Sequence, residues 1–204
     1  NFKLLNDKVI FGHNRLSIID LNKRSNQPFK YFHITITFNG QIYNFKELRN
    51  DLIKKGYSFN TESDTEVICV SYIHYGSKCV EKLNGMFAFV IYDEKQNLLF
   101  GARDRFGQKP FYYTFENNQF EFCSQLSSLI IGNEFFINQK SVNQFLVWDY
   151  IPEPNSIYSK IYKLEAGYKF TYDLNSKIFN KENYWDLDYS IENQENLSYE
   201  DAKE

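Results

Sequence analysis

The hydrophobic and polar positions along the chain change their period from two to about 3.6 and back again, which predicts helices between groups of strands. Residues 34–38 alternate strictly, with apolar side chains on one face and threonines on the other, and this predicts a half-buried β-strand. A helical spacing follows, with Phe45, Leu48 and Leu52 on one face. Asn44 directly precedes this spacing and is the expected N-cap.

A second helix is predicted from the capping box formed by Ser63 and Glu66, and Gly76 is its expected end. Another helix is expected to be capped by Ser141. Further predicted elements are a short helix at residues 78–83 and strands at residues 9–11, 86–93, 98–102, 111–115, 119–123 and 161–172. Helices set between groups of antiparallel strands predict the α+β fold class.

Composition and charge exclude several classes of protein. Hydrophobic residues make up 43% of the 204 residues, with 20 Phe and 16 Tyr, which argues against disorder. A net charge of −3 without a basic stripe gives no electrostatic footprint for nucleic acid. No apolar run approaches the ~20 residues that span a bilayer, and no signal peptide opens the sequence. We therefore expect a soluble, cytoplasmic protein that binds neither nucleic acid nor membranes.

The cysteines and histidines follow neither a disulfide framework nor a metal-binding pattern. The three cysteines form no C-x-x-C pair, so we expect reduced thiols: Cys69, Cys79 and Cys123. The three histidines lie far apart, without the spacing of metal ligands: His13, His33 and His74. We therefore predict no metal and no cofactor for this domain.

Several short motifs have both a structural and a functional interpretation. Asn39-Gly40 is the strongest short signal for a hairpin turn, and it equally supplies an amide side chain and a backbone N–H for an oxyanion hole. The loop at residues 103–110 suits either an anion site or a structural ion-pair network. Asp64, in the first turn of a predicted helix, is favourable for dipole reasons with or without a ligand. Taken singly, these residues do not define a function.

Six blocks occur along the chain in a fixed order: GHNRLSIID at residues 12–20, FNGQIYN at 38–44, SDTEVI at 63–68, LNGMFAF at 83–89, RDRFGQKPFYY at 103–113 and YIPEPNSIY at 150–158. Together they resemble the class II glutamine amidotransferase domain of glutamine-hydrolysing asparagine synthetases. The resemblance implies an amidotransferase domain at residues 1–185 that lacks its N-terminal start. Residues 186–204 are then a linker or the start of a truncated ATP-pyrophosphatase synthetase domain.

The resemblance implies a four-layer αββα N-terminal-nucleophile hydrolase fold, with two stacked antiparallel sheets between helices. It also implies that a cysteine at the mature N-terminus attacks the side-chain amide of glutamine, with its own α-amino group as the base, and that the thioester is hydrolysed to glutamate. The ammonia would pass to the chain's own C-terminal synthetase domain, where ATP and Mg²⁺ support the amidation of aspartate to asparagine. The resemblance also implies that the protein can form a homodimer.

By the same resemblance, Arg15 holds the α-carboxylate of glutamine through a bidentate fork. Asn39 and the Gly40 N–H form the oxyanion hole, and Asp64 pairs with the substrate ammonium. The further glutamine-binding positions are Leu16, Ser17, Ile18, Ile19 and Gln41. These roles favour the oxyanion-hole interpretation of Asn39-Gly40 over the hairpin turn.

Two features depart from the family pattern. Gln41 stands where the family usually has Glu, and a neutral amide loses charge assistance toward the substrate ammonium. The nucleophilic cysteine is expected upstream of Val9, and none of the three cysteines is N-terminal. We therefore expect a sequence cut at both ends, and a 204-residue chain that does not itself hydrolyse glutamine.

Three other functions remain open from the sequence. The first is a related amidotransferase that acts on a cell-surface sugar or another acid. The second is a non-catalytic binding or scaffold domain that has lost its nucleophile. The third is the glutaminase half of a sugar-phosphate or purine-pathway amidotransferase, although the IPEPN segment at residues 151–155 favours the synthetase branch.

Overall fold

The computed structural model describes residues 1–14, 19–131 and 134–188. Its strands are β1 (Phe2–Asn6), β2 (Val9–Gly12), β3 (Phe29–Tyr31), β4 (Ile34–Ile42), β5 (Gly85–Asp93), β6 (Leu98–Arg103), β7 (Tyr112–Glu116), β8 (Gln119–Cys123), β9 (Ile161–Lys163), β10 (Tyr168–Asp173) and β11 (Phe179–Asn183). Its α-helices are α1 (Phe45–Lys54), α2 (Asp64–Tyr75), α3 (Cys79–Lys82), α4 (Ser127–Ile130) and α5 (Gln139–Trp148). Single 3₁₀ turns lie at Lys23–Ser25 and Gly76–Lys78.

Three antiparallel sheets organise these strands. The main sheet has six strands in the order β11-β10-β6-β5-β4-β3, the second sheet has the order β8-β7-β9, and β1 pairs with β2. Within the main sheet, β4 and β5 pair along their whole length, from Ile34 opposite Asp93 to Ile42 opposite Gly85. Because β3 pairs only with the first part of β4, the last residues of β4 extend past it.

The central strands of the main sheet, β4, β5 and β6, are buried on both faces. One face packs on α1 and α2 in a core that includes Ile36 and Leu52. The other face packs against β2 and the second sheet in a core that includes Phe11, Val90 and Phe111. The two antiparallel sheets therefore stack on each other, with α1 and α2 on the opposite face of the main sheet and α4 in contact with β8. The predicted fold class with stacked antiparallel sheets is confirmed.

The prediction that β4 is half-buried is wrong. Thr35 and Thr37 are buried, although their hydroxyls made this face of the strand look like a solvent face. Their cross-strand partners are Tyr92 and Val90, which belong to the core between the sheets. The threonine face of β4 is therefore buried, because the second sheet covers the face that the alternating pattern predicted to be exposed to solvent.

The hairpin-turn interpretation of Asn39-Gly40, which the resemblance had already disfavoured, does not hold, because both residues lie inside β4. Two further local predictions are wrong. Residues 161–172 form two strands, β9 and β10, rather than one. The N-cap of α5 is Asn138, whose side chain accepts a backbone hydrogen bond, and Ser141 lies within the helix.

The helix caps next to β4 were predicted with mixed success. Ser63 caps α2 as predicted, since its Oγ accepts a hydrogen bond from the Thr65 N–H at 3.1 Å. Asn44 precedes α1 as predicted, but its side chain does not cap the helix. The Asn44 amide instead donates to the Lys82 carbonyl and accepts from the Asn84 N–H, each at 3.0 Å. It therefore ties the end of β4 to the loop before β5.

Candidate functional site

A cavity of about 700 Å³ lies between the two stacked sheets. It is bounded by the end of β4, the N-terminus of α2, β5, the 103–110 loop and the end of β8; its lining includes His13, Asn14, Ile19, Gln27, Asn39, Gly40, Gln41, Asp64, Met86, Lys109, Phe111, Cys123 and Gln125. The volume is in the range of small-molecule sites. The structure thus brings together those predicted glutamine-binding residues that it describes: Ile19, Asn39, Gly40, Gln41 and Asp64.

The end of β4 presents polar groups to this cavity. Asn39 and Gln41 pair across the strands with Ala88 and Met86, which also line the cavity. Residues paired across strands point to the same face of a sheet, so both amide side chains face the space between the sheets. Gly40 lies between them without a side chain. This segment therefore offers two amide side chains and the backbone of Gly40 to a ligand.

Only glycine fits at position 40, because the neighbouring strand leaves no space for a side chain. A Cβ at this position would lie 2.1 Å from the Met86 carbonyl oxygen and 2.7 Å from the Phe87 Cα, and its φ is +151°. Gly85 has the same relation to the opposite strand, because its Cβ would lie 2.2 Å from the Gln41 carbonyl oxygen. The two glycines allow β4 and β5 to approach each other closely at the cavity.

Asp64 is the first residue of α2 and is only 5% exposed. Its Oδ2 accepts a hydrogen bond from the Ile42 N–H at 3.0 Å, which joins the helix to the end of β4. The Ser63 hydroxyl lies 3.5 Å from its Oδ1. A carboxylate is thereby held at the edge of β4, two residues beyond Gly40.

Burial raises the pKa of Asp64 above its usual value of 3.8. Hydrogen bonds from the backbone N–H groups of Ile42 and Thr65 oppose this shift without overcoming it. A buried carboxylate that is costly to ionise gains most from a cation placed beside it. The site can therefore pair Asp64 with an ammonium group.

Part of the predicted site falls in a segment that the structure leaves undescribed. The residues concerned are Arg15, Leu16, Ser17 and Ile18, which lie outside the described residues, so their roles stay predictions. The description resumes at Ile19, which lines the cavity, and continues with Asp20. Asp20 accepts a hydrogen bond from the Glu62 N–H at 2.9 Å, the largest cause that lowers its pKa to about 2. This contact holds Asp20 beside the N-terminus of α2.

The thiols lack the properties of a nucleophile. Burial raises the pKa of Cys79 to about 12 and that of Cys69 well above its usual value. Cys123 does line the cavity, but burial raises its pKa to about 11. Reactive cysteines have a lowered pKa, so this raised pKa argues against a nucleophilic role for Cys123.

The 103–110 loop is a structural network. Arg103 donates hydrogen bonds to the carbonyl oxygens of Gly107 and Lys109 and pairs with Glu153. The fully buried Asp104 accepts from backbone N–H groups within the loop, including that of Lys109, and from the Phe87 N–H of β5. These contacts support the ion-pair interpretation rather than the anion site, and they leave Lys109 lining the cavity.

Within the described ranges, no helix is long and apolar enough to cross a membrane. In the same part of the chain, no three His, Cys, Asp or Glu residues gather where they could hold a metal ion. Among the described residues, the cavity lining offers amides, backbone N–H groups and the buried Asp64 carboxylate, together with His13, Lys109 and Cys123.

Sequence reasoning missed Gln27 and did not assign a role to His13. Both line the cavity, and both contact the backbone of Phe38, the residue before Asn39. The sequence contained one usable signal, since His13 lies in the first of the six blocks. Gln27 lies outside them, so only the structure reveals it.

The fold also occurs in a solved amidotransferase. The glutamine phosphoribosylpyrophosphate amidotransferase from Bacillus subtilis, in complex with ADP and GMP, aligns with a TM-score of 0.53 and 19% identity. The alignment covers 74% of this chain and 29% of that chain. This likeness shows that the two chains share a fold.

The sequence profile of the glutamine amidotransferase domain family matches residues 3–185. The chain belongs to this family. Asparagine synthetase [glutamine-hydrolyzing] 1 of Bacillus subtilis (strain 168) is 43% identical over 185 residues, which cover 87% of this chain and 29% of the relative. The putative asparagine synthetase [glutamine-hydrolyzing] 2 of Methanocaldococcus jannaschii is 38% identical over 207 residues, covering 92% of this chain and 39% of the relative. The chain thus spans only about a third of these curated relatives.

Proposed function

We propose that this chain is the glutamine-binding domain of a glutamine-hydrolysing asparagine synthetase. The observation that carries the proposal is that Asn39, Gly40 and Asp64 line one cavity. An amino acid with a side-chain amide needs a donor for its carbonyl oxygen, an anion for its ammonium and a cation for its carboxylate. Asn39 and Gly40 would supply the donors, Asp64 the anion, and Arg15 the cation.

The donors at Asn39 and Gly40 would act chiefly in the chemical step. When a nucleophile adds to the side-chain amide of glutamine, negative charge develops on the amide oxygen. Fixed donors stabilise that charge more than they stabilise the neutral substrate, and removing one such donor typically slows a reaction by about 10²–10³-fold. Gly40 would contribute its backbone N–H, while the close packing of its Cα against β5 holds that N–H in place.

The attacking group would come from outside these 204 residues, as the cysteine at the N-terminus of the complete polypeptide. This proposal is supported by the raised pKa values of the three thiols in the chain, of which Cys123 alone lines the cavity. We expect the purified 204-residue chain to release no glutamate from glutamine in a coupled glutamate dehydrogenase assay. Glutamate release that is lost on Cys123→Ala would contradict the proposal, because it would identify an internal nucleophile.

The rest of the reaction would belong to a synthetase domain of the complete protein. The two curated relatives are named as glutamine-hydrolysing asparagine synthetases, and each is much longer than this chain. ATP, Mg²⁺ and aspartate would bind in that domain, and ammonia released at the cavity would be its nitrogen source. A homodimer and a cytoplasmic location complete the proposal.

Binding measurements test the proposal on the chain itself. Isothermal titration calorimetry is expected to show that L-glutamine binds and that L-asparagine, one methylene shorter, binds at least about tenfold more weakly. The shorter side chain cannot reach the Asn39–Gly40 donors while its ammonium stays at Asp64. Equal affinities for both amino acids, or no detectable heat with glutamine at millimolar concentration, would contradict the glutamine site.

Gln41 provides a test of charge at the same site. We expect Gln41→Glu to tighten glutamine binding about three- to tenfold at pH 7, because a carboxylate binds an ammonium more strongly than an amide does. The comparison is made by calorimetry on both proteins. Gln119→Glu is the matched control, since Gln119 is exposed on β8 and outside the cavity. An unchanged affinity in Gln41→Glu would remove Gln41 from the ligand site.

A further inference from the structure

One edge of β4 loses its neighbouring strand where the proposed site begins. β3 pairs with β4 only as far as Ile36, opposite Phe29. β4 continues to Ile42, and β5 covers its other edge throughout. Among the described residues, no strand pairs with the β3 edge of β4 beyond Ile36, and this uncovered edge runs along the residues that carry the proposed oxyanion hole.

The backbone groups on this uncovered edge alternate along the strand. In an antiparallel strand the N–H and C=O of one residue point to the same edge, and successive residues point to opposite edges. The N–H groups of Phe38 and Ile42 point to the uncovered edge, since they donate to the side chains of Gln27 and Asp64. The Gly40 N–H, midway between them, therefore points to the same edge and toward the cavity.

Gln27 and His13 stand where a strand residue would pair with Phe38. The Gln27 Oε1 accepts a hydrogen bond from the Phe38 N–H at 2.6 Å, and Gln27 is 5% exposed. The His13 Nε2 lies 3.0 Å from the Phe38 carbonyl oxygen, which can only accept, so this nitrogen carries the proton. Together the two side chains pair both backbone groups of Phe38, as a continued β3 would, without covering Gly40.

Gln27 also reaches the helix that carries the carboxylate. Its Nε2 lies 3.5 Å from the Oγ1 of Thr65, the residue after Asp64. One buried side chain thus lies between the strand before Asn39 and the first turn of α2. The segment from Asn39 to Gln41 is bracketed by Gln27 on one side and by Asp64 on the other.

We propose that Gln27 is a positioning residue of the glutamine site, which sets the place of the Gly40 N–H relative to the Asp64 carboxylate. This inference rests on the proposed function. It assigns Gln27 no contact with the substrate. A buried amide that merely satisfied one N–H would affect folding alone, whereas a positioning residue also affects ligand affinity in the folded protein.

The test compares Gln27→Met, which keeps the size but loses the acceptor, with Gln27→Glu, which keeps an oxygen within reach of the Phe38 N–H. We expect Gln27→Met to weaken glutamine binding at least tenfold by calorimetry, and Gln27→Glu to stay within about threefold of the unsubstituted chain. The amide resonances of Gly40 and Ile42 in a ¹H–¹⁵N spectrum should shift in Gln27→Met and return close to their positions in Gln27→Glu. Should Gln27→Met fail to fold, Gln27→Asn, one methylene shorter, replaces it with the same expectation.

Tyr31→Phe is the matched control for stability. It removes another side-chain hydrogen bond to the backbone, from the Tyr31 hydroxyl to the Ser58 carbonyl at 2.9 Å, away from the cavity lining. We expect it to lower stability without changing the glutamine affinity. Unchanged affinity in Gln27→Met or Gln27→Asn, in a chain that does bind glutamine, would overturn the positioning role alone. A chain that does not bind glutamine at all would overturn the proposed function and this inference with it.

Discussion

Replacing Asp64 by Asn is expected to weaken glutamine binding by on the order of 100-fold or more. Removing one partner of a buried charge pair costs about 2–5 kcal/mol, which corresponds to this loss at about 1.4 kcal/mol per tenfold. The fold should survive, because an Asn oxygen can still accept the hydrogen bond from the Ile42 N–H. Calorimetry gives the affinity, and urea unfolding gives the stability.

A substrate analogue distinguishes a direct ion pair from an indirect effect of Asp64→Asn. 4-Carbamoylbutanoate is glutamine without its α-amino group. The unsubstituted chain should prefer glutamine to this analogue strongly, and Asp64→Asn should lose that preference. Asp51→Asn is the matched control, since Asp51 lies exposed on α1 and pairs with Lys54. A preference that persists in Asp64→Asn would show that the ammonium lies elsewhere.

The pH dependence gives a second readout of Asp64. Its pKa is raised in the folded chain, so glutamine binding should weaken as the pH falls, beginning above the usual carboxyl value of 3.8. The free energy of unfolding depends on pH in the opposite direction, because the folded chain binds the Asp64 proton more tightly than the unfolded chain does. The contribution of Asp64 to stability is therefore full at low pH and is lost as the pH rises through its folded pKa. Asp64→Asn should abolish both dependences at once. Binding that stays constant through the acidic range would contradict an ionised Asp64 in the site.

Replacing Gly40 by Ala is expected to destabilise the chain by about 3 kcal/mol and to abolish glutamine binding. The added Cβ would meet the Met86 carbonyl oxygen at 2.1 Å and the Phe87 Cα at 2.7 Å, and both belong to backbone in a paired strand. Crowding and an unfavourable φ each cost about 1–3 kcal/mol. Relief requires β4 and β5 to separate, which moves the Gly40 N–H.

Gly56→Ala separates the two causes of that cost. Gly56 has a φ of +91°, but a Cβ there meets nothing within 4 Å. It should lose only about 1 kcal/mol and bind glutamine normally, because the backbone strain comes without crowding. Urea unfolding and calorimetry on both variants make the comparison. If Gly40→Ala were as stable as Gly56→Ala, the close approach of β4 and β5 would not restrict this position.

Much of the fold could be read from local patterns. The helical spacing of Phe45, Leu48 and Leu52 predicted α1, and the cap at Ser63 predicted the start of α2. The strands from β5 to β8 were predicted with small errors at their ends. These elements were predictable because their periodicity and caps depend on residues close in sequence.

The short edge strands were missed for a physical reason. β1, β3 and β11 carry weak patterns of three to five residues. Each is a strand because a neighbouring strand supplies its hydrogen-bond partners, and local propensity does not encode that pairing. The same limit applies to Asn39-Gly40, where pairing with β5 overrides the preference of this dipeptide for a turn.

The sequence by itself determined the α+β class and, through six ordered blocks, the glutamine amidotransferase family and the candidate residues Asn39, Gly40, Gln41 and Asp64. Local spacing and residue chemistry carry that information within short segments. Only the tertiary structure decided that these residues line one cavity, that Asp64 is buried enough to raise its pKa, and that Gln27 pairs with Phe38. Burial and edge pairing arise from segments far apart in the chain, and they appear only when the two sheets stack.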